Sequence, residues 1–178
     1  MWPADFDPQP TLSGRGLTLR PLAASDRDAL YAAASDPLIW AQHPVHDRHT
    51  RPVFDPYFDT LLARGGALAA LDGVGTMIGT SSFYLTKGPP RCASIGFTFL
   101  ARAHWGGTTN RAMKTLMLDH LFAHFDTAWF HIGPGNVRSQ KGTAKLGAVR
   151  VEDDLLDILD PPSLHAFYRL DRATWQAQ

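Results

Sequence analysis

The sequence contains very little cysteine. Its 178 residues include one cysteine, Cys92. One cysteine excludes an internal disulfide framework and a cysteine-based zinc ribbon. Because Cys92 lies in an alternating apolar segment, we interpret it as an inert thiol within a strand, since a free cysteine behaves as a small hydrophobe.

Net charge and long apolar runs are also missing. The 17 basic residues balance the 17 acidic residues, which argues against a bulk electrostatic footprint for nucleic acid or an anionic membrane. No uncharged apolar run reaches the ~18 residues of a spanning helix. The first ten residues carry acids and prolines rather than a basic signal-peptide start. We therefore expect a soluble cytoplasmic protein with no nucleic-acid partner and no membrane partner.

The chain length fits one domain of about 150 residues with extra loops, and no segment has the composition of an interdomain linker. Alternating and helical apolar patterns predict a mixed α/β order. The predicted strands cover 17–22, 67–71, 77–85, 92–100, 128–132, 148–151 and 164–170. The predicted helices cover 25–35, 55–63, 109–124 and 136–146, with residues 37–52 as a loop rich in proline and histidine.

Two connections between predicted strands and helices contain candidate binding or catalytic residues. A strand ending at Leu100 is followed by the pair Gly106-Gly107 and by a helix that begins near Thr108 or Thr109. Free N–H groups at a helix start suit a phosphate, and glycine lets an anion approach the backbone, although many such joints bind nothing. The second joint is Asn136-x-x-Ser139, which is either a helix cap with a first-turn serine or one wall of a cleft.

Together these segments resemble the GNAT acetyltransferases, in particular their RimJ/RimL-like branch. The resemblance covers roughly residues 15–172 and depends on the order and spacing of several short motifs. The matching motifs are Leu17–Leu22, Ser94–Leu100, His104–Arg111, Lys114, Leu116–His120, Asn136-x-x-Ser139 and Lys145–Ala148.

The resemblance implies a mixed α+β, GNAT-like fold. Its central sheet is mixed and mostly antiparallel, it is flanked by about four helices, and it splays apart between two parallel central strands. These strands correspond to Ser94–Leu100 and Ala128–Ile132. We expect an N-terminal extension over residues 1–14 and a single domain over residues 15–178.

The resemblance also implies acetyl-CoA as co-substrate, with no metal. The pantetheine arm would pair with the backbone of one central strand like an added strand, and the pyrophosphate would lie at the glycine-containing loop and helix start. Asn136 would hydrogen-bond the pantetheine, and Ser139 would lie near the sulfur. The full set of implied cofactor-binding residues is Thr98, Phe99, Leu100, Trp105, Gly106, Gly107, Thr108, Thr109, Asn110, Asn136 and Ser139. On charge alone, Lys141, Lys145 or Arg102 would meet the 3′-phosphate.

The implied reaction is direct attack of a primary amine on the thioester in a ternary complex, without a covalent acetyl-enzyme. The implied catalytic residues are Ser139, which would donate to the leaving thiolate, and Asn136. A backbone N–H near Phe99 would stabilise the oxyanion. The acceptor is a protein N-terminal α-amine or a small-molecule amine, and the resemblance is also compatible with a homodimer.

Three positions depart from the family pattern. Thr108 stands at a glycine position and would be strained if the site requires positive φ. Ala112 and Ser94 stand where this branch often has Glu. The Glu that is usual at the Ser94 position would be the natural general base. Replacement bases are His131, His104, Glu152, Asp153 and Asp154, which the sequence does not rank. The departures leave two alternatives open: a catalytically impaired GNAT-fold module that binds CoA or a protein, and transfer of a different acyl group.

Residues 37–58 are expected to cover the acceptor. Trp40, His43 and Tyr57 are the predicted substrate-binding residues, and Phe54 would complete an aromatic wall; the alternative is a packed surface loop. Histidines at 43, 46 and 49 lie three apart with Asp47 as the only acid between them. A metal site needs converging ligands and further support, so we expect none.

Overall fold

The computed structural model describes residues 1–86, 92–156 and 161–178. The described residues form one eight-stranded sheet and six α-helices. The strands are β1 Leu12–Gly14, β2 Leu17–Pro21, β3 Ala67–Asp72, β4 Met77–Tyr84, β5 Cys92–Leu100, β6 Thr127–Ile132, β7 Val149–Leu156 and β8 Ser163–Asp171. The helices are α1 Arg27–Ala34, α2 Pro37–Trp40, α3 Arg51–Arg64, α4 Thr109–Phe122, α5 Val137–Ala144 and α6 Arg172–Gln176.

The strand order is β1-β2-β3-β4-β5-β6-β8-β7. All described neighbours pair antiparallel except β5 and β6, which run parallel. The parallel ladder joins 92 to 127, 93 to 128 and 94 to 129, and then stops. Both strands continue beyond that point, so they diverge as the sequence resemblance implied. The mixed fold and the splayed sheet are thus confirmed.

Helices cover the two faces of the sheet, which we call the α4 side and the α3 side. On the α4 side, Met113, Met117 and Leu121 are fully buried against apolar residues of the strands. On the α3 side, helices α1, α2 and α3 form a second core that contains Phe54 and Phe58. The site described below lies at the divergence of β5 and β6, where helices pack on both faces of the sheet.

A β-bulge interrupts β5 beside the divergence. Its pairing to β4 passes from Ser82 opposite Gly96 to Thr80 opposite Phe99, with a register shift between them. Phe97 in the bulge has φ +50°, a left-handed conformation that is uncommon for a residue with a bulky side chain. Such bulges re-aim side chains and backbone groups next to binding sites.

Parts of the helical cover differ from the sequence prediction. Residues 37–52 were predicted as loop, but they include α2 and the start of α3. Prolines suggested the loop, yet each helix carries its first proline in its first turn, where the missing N–H costs nothing. Asp36 also caps α2, since its side chain accepts from the N–H of Leu38 at 2.9 Å.

The N-terminal residues take part in the sheet and the core. Strand β1 pairs with β2, and Phe6 is buried against Phe83 and Phe125, with ring centroids 5.5 and 4.9 Å away. Strand β1 and α6 were not predicted from the sequence. The division between residues 14 and 15 stays a prediction. Within the described residues, none of the helices has the length and apolar character needed to cross a bilayer.

Candidate functional site

The opening between β5 and β6 is the centre of the candidate site. Beyond Ser94 and Trp129 the two strands no longer hydrogen-bond to each other, although β5 keeps its pairing to β4 through Thr80–Phe99 and Gly79–Leu100. Successive backbone groups of a strand point to its two edges. The edge of β5 that faces the opening can therefore pair with an extended ligand, and cofactor binding by Thr98, Phe99 and Leu100 stays a prediction.

The loop before α4 forms one end of this opening. Gly106 has φ +73°, so the left-handed residue of the loop is a glycine. Thr108 has φ −90° and ψ −8°, which is ordinary helical backbone, and the strain considered for Thr108 does not arise. The Trp105 indole N–H donates to the carbonyl of Leu100 at 2.9 Å and fixes the loop to the end of β5.

The start of α5 forms the opposite wall. Asn136 is the N-cap, as predicted, because its side-chain oxygen accepts from the N–H of Ser139 at 3.1 Å. Ser139 is partly exposed, and its hydroxyl makes no hydrogen bond to any described residue. A Cβ at Gly142 would lie 3.7 Å from the Asn110 amide nitrogen, so α5 packs close to the start of α4. The predicted cofactor residues on both helices thus share one opening.

Arg138 connects three walls of the opening, and the sequence analysis missed it. Its guanidinium lies 3.8 Å from the centre of the Trp105 ring and donates to the carbonyl of Ile39 at 3.0 Å. Its backbone N–H donates to the side chain of Gln42, also at 3.0 Å. A first-turn arginine carries no distinctive sequence signal, so only the fold reveals this role.

On the α3 side, a hydrogen bond crosses the opening. The Tyr84 hydroxyl on β4 and Nδ1 of His131 on β6 are 2.8 Å apart. The Tyr84 ring passes over Gly96, where an added Cβ would lie 2.9 Å from a ring carbon. Burial raises the pKa of the Tyr84 phenol well above its usual value, so this hydroxyl keeps its proton. His131 also packs edge-on against Phe167, with centroids 4.2 Å apart.

The other replacement bases lie in less suitable places. Glu152, Asp153 and Asp154 are exposed on β7, and Asp153 is paired with Arg150 at 2.6 Å. His104 ends a single helical turn after β5. Of the five candidates, His131 is the one bonded across the opening.

Arg102, one of the three cations considered for the 3′-phosphate, forms an ion pair. Its Nε lies 2.5 Å from a carboxylate oxygen of Asp36. This pair ties the turn after β5 to the start of α2. Lys141 on α5 and Lys145 directly after it are both exposed.

The predicted acceptor wall is more buried than expected. Trp40 is 3% exposed and Tyr57 is 8% exposed, whereas Phe54 is fully buried. Phe54 is therefore a core residue, and its inclusion in an aromatic wall was wrong. Tyr57 donates its hydroxyl to the carbonyl of Phe97 in the bulge at 3.2 Å. His43 is partly exposed and stands beside Trp40, with ring centroids 5.5 Å apart.

Lys114 lies beneath the bulge on the α4 side. It is 6% exposed, and its Nζ donates to Ser81 at 3.0 Å and to Thr98 at 2.7 Å. No carboxylate lies within 4.0 Å of it in the part of the chain that the structure describes. Burial lowers the pKa of Lys114 to about 7. The sequence analysis used Lys114 only as a motif residue, because nothing in a helical pattern shows which lysine faces the core.

Comparisons with known proteins agree with this geometry. The model of one protein family, described as an acetyltransferase (GNAT) domain, matches residues 16–149. No curated protein sequence matches the chain. Among solved structures, a GCN5-related N-acetyltransferase from Brucella melitensis superimposes with a TM-score of 0.79 at 17% identity, over 97% of this chain and 86% of that one.

Two further structures were determined with coenzyme A or a derivative. Mycobacterium smegmatis RimJ in complex with CoA-disulfide gives a TM-score of 0.68 at 18% identity, over 93% of this chain and 87% of that one. The aminoglycoside acetyltransferase AAC(6′)-Ib in complex with coenzyme A gives 0.73 at 18% identity, over 91% of this chain and 98% of that one. At these identities the likeness concerns the fold.

Proposed function

The chain belongs to the GNAT acetyltransferases and is an acetyl-CoA-dependent N-acetyltransferase, and we propose that it acetylates a primary amine by direct attack within a ternary complex. The observation that carries this proposal is the ladder that stops after the pair Ser94–Trp129. It leaves an open edge on β5 beside a bulge, a helix start and a capped second helix. An extended thioester cofactor fits such an opening by pairing with the free edge.

The cofactor is proposed to enter beside α4. Backbone N–H groups of the loop and helix start, residues 105–110, would hold the pyrophosphate, since the helix dipole and unpaired N–H groups favour an anion there. The pantetheine would run along Thr98–Leu100 toward the bulge. The side-chain amide of Asn136 would donate to it from the opposite wall, where the side-chain oxygen is already occupied by the Ser139 N–H.

The proposed reaction forms a C–N bond and breaks a C–S bond. The amine nitrogen attacks the thioester carbonyl, a backbone N–H near Phe99 stabilises the oxyanion, and the thiolate leaves with a proton or hydrogen bond from Ser139. The nitrogen must lose a proton. We assign this proton to His131, which Tyr84 orients through the 2.8 Å hydrogen bond.

Two acceptor classes remain in the proposal: a protein N-terminal α-amine and a small-molecule amine. The fold likeness to RimJ is in keeping with the first, and the likeness to an aminoglycoside acetyltransferase is in keeping with the second. Ser139 and His43 are both partly exposed, which leaves room for an acceptor.

A two-stage experiment tests this function. Saturating acetyl-CoA at about 100 times its Kd adds about 2.7 kcal/mol, which for this chain length corresponds to a rise in Tm of roughly 5 to 11 °C. Acetylation of amines is then followed by mass spectrometry over a panel of peptides and small molecules. A shift with transfer supports the proposal. A shift without transfer over the whole panel favours an impaired module, and a folded protein without a shift overturns the proposed function.

A further inference from the structure

Arg48 is a partly buried cation that forms no ion pair with a described residue. Its guanidinium lies 4.1 Å from the centre of the Tyr57 ring and 5.1 Å from the centre of the Trp40 ring. In the described part of the chain no carboxylate lies within 4.0 Å of it, and the adjacent Asp47 attracts it only at longer range. Its Nε is enclosed and has no hydrogen-bond partner among the residues that the structure describes.

The group nearest to Arg48 cannot accept a hydrogen bond from it. The backbone N–H of Val45 donates to Nδ1 of His43 at 2.9 Å. In a neutral imidazole the proton must then be on Nε2, and Nε2 lies 3.2 Å from the Arg48 guanidinium. Burial, and next the nearby charge of Arg48, lower the pKa of His43 to about 3, which keeps the ring neutral. Two hydrogen-bond donors therefore face each other.

Among the described residues, the Arg48 guanidinium and the His43 Nε2–H have no shared acceptor. A partly desolvated guanidinium is costly unless it is hydrogen-bonded, and the aromatic faces compensate only in part. One carboxylate within reach of both groups would accept hydrogen bonds from the Arg48 guanidinium and from the His43 Nε2–H. The bond from the guanidinium would be charge-assisted.

The two aromatic side chains that contact Arg48 also reach the proposed reaction site. Tyr57 presents its ring face to Arg48, while its hydroxyl donates to the carbonyl of Phe97 in the bulge at 3.2 Å. Trp40 packs against Phe99 of β5, with centroids 5.2 Å apart. One tyrosine side chain thus separates the unpaired donors from the bulge, on the α3 side, where the acceptor amine would approach.

We propose that Arg48 and the Nε2–H of His43 bind a carboxylate of the acceptor, so that the substrate class is a primary amine carrying a carboxylate a few bonds away. This inference rests on the proposed function and narrows its acceptor. Two sources share this chemistry: a free amino acid, and a peptide whose N-terminal residue is acidic.

Binding of the product measures the inference without turnover. N-acetylalanine and its neutral amide are titrated calorimetrically into the protein, with and without saturating CoA. Because a hydrogen-bonded charge pair discriminates strongly against a neutral isostere, we expect the acid to bind about tenfold or more tightly than the amide. Equal binding of the two compounds overturns the inference. Absence of CoA binding contradicts the proposed function instead, and the titration without CoA still reports on the carboxylate site.

Variants show whether Arg48 is responsible. Arg48→Met keeps an unbranched apolar side chain and removes the charge, and it should remove the preference for the acid while leaving the Tm shift with acetyl-CoA unchanged. Arg51→Met is the matched control, because Arg51 also stacks on a ring, Tyr31 at 4.0 Å, but is paired with Asp28 at 2.5 Å. If Arg48→Met does not fold, His43→Phe replaces it; this change keeps Arg48 and removes the Nε2–H donor, together with the Nδ1 that accepts from the Val45 N–H. A preference for the acid that survives these changes overturns the assignment.

Kinetics with the wild-type protein separate the two sources. Alanine is compared with alaninamide, and a peptide beginning with Asp is compared with the same peptide beginning with Asn. A higher kcat/KM for alanine points to free amino acids, and a higher kcat/KM for the Asp peptide points to acidic N-termini. Equal values within both pairs contradict the inference.

Discussion

The Tyr84 hydroxyl lies 2.8 Å from Nδ1 of His131, although β5 runs between the strands that carry them. The contact exists because Gly96 has no side chain under the Tyr84 ring. Gly96 and His131 each lie two residues beyond the last paired residues of the diverging strands. The hydrogen bond therefore closes the α3 side of the opening at its narrow end, where a thioester lying along β5 would present its carbonyl.

Gly96→Ala should break this contact. The added Cβ would lie 2.9 Å from a Tyr84 ring carbon and 3.0 Å from its hydroxyl oxygen, so the buried ring must move. Overpacking of this kind costs about 1 to 3 kcal/mol, and kcat should fall together with stability. Urea denaturation and steady-state kinetics measure both effects. Gly73→Ala is the control, because its Cβ would meet only an ordinary contact at 3.6 Å; equal behaviour of the two variants would count against the steric argument.

His131→Asn should change the pH dependence of acetyl transfer. Without a base, only acceptor molecules that have already lost their proton react, so log kcat/KM should rise with a slope near one up to the pKa of the acceptor, about 8 for an α-amine and about 10.4 for an alkylamine. The wild-type profile should be flatter over that range. Tyr84→Phe should fall between them, because it keeps the imidazole and loses the hydroxyl that orients it. Parallel profiles for wild type and His131→Asn would exclude His131 as the base.

The fold was predictable because its local signals agree with its long-range order. Alternation predicted β5, helical spacing predicted α4, and the N-cap signal predicted Asn136. The resemblance then supplied the parallel central pair of strands, which no local pattern contains. The outcome at Thr108 shows the limit of motif comparison, since Gly106 takes the positive φ two residues earlier.

The missed residues share a physical reason. Arg48, Lys114 and Tyr84 all acquire their environment only when the chain folds. Lys114 and Tyr84 meet partners distant in sequence, and Tyr84 and His131 are 47 residues apart. Arg48 meets residues that are nearer in sequence but lie on separate elements of the folded chain. A single sequence shows that Arg48 is charged, but not that the described part of the fold brings no carboxylate within 4.0 Å of it. It shows Tyr84 in a strand but not the glycine beneath its ring.

Asn136 and Ser139 should respond differently to substitution. Asn136→Ala removes the cap to the Ser139 N–H, which costs about 1 kcal/mol of stability, and it also removes the amide proposed to hold the pantetheine. Asn136→Asp keeps the cap and removes only the amide, so it should weaken acetyl-CoA binding without loss of stability. Unfolding curves and calorimetric Kd values separate these effects. Unchanged Kd values in both variants would exclude the cofactor contact.

Ser139→Ala is expected to lower kcat more than acetyl-CoA affinity, because the hydroxyl is assigned to the leaving thiolate. The hydroxyl makes no hydrogen bond within the described residues, so its removal should leave Tm nearly unchanged. Ser35→Ala, on the far end of α1, is a control for a serine outside the opening. Turnover that matches wild type would make Ser139 an ordinary residue of α5.

Lys114→Met should stabilise the protein near neutral pH and change how its stability depends on pH. In the folded protein burial lowers the pKa of Lys114 from 10.5 to about 7, so between these values the unfolded chain binds more protons. The free energy of unfolding then rises with pH over that range, by up to about 1.4 kcal/mol per pH unit from this group. Below about pH 7 the full cost of the buried charge is present. Methionine fills similar space, and Ser81 and Thr98 keep their mutual 2.7 Å hydrogen bond.

The stability difference between wild type and Lys114→Met therefore has a predicted sign and a predicted pH dependence. Unfolding free energies from urea denaturation at about pH 6, 7, 8 and 9 should show the variant more stable at the acidic end, with the difference shrinking as pH rises. Lys145→Met, at an exposed lysine after α5, should follow the wild-type profile. If the unfolding free energies of the wild type and of Lys114→Met change in parallel with pH, the pKa of Lys114 is not lowered in the folded protein. The three-way hydrogen bond beneath the bulge is then held by a charged ammonium at every pH tested.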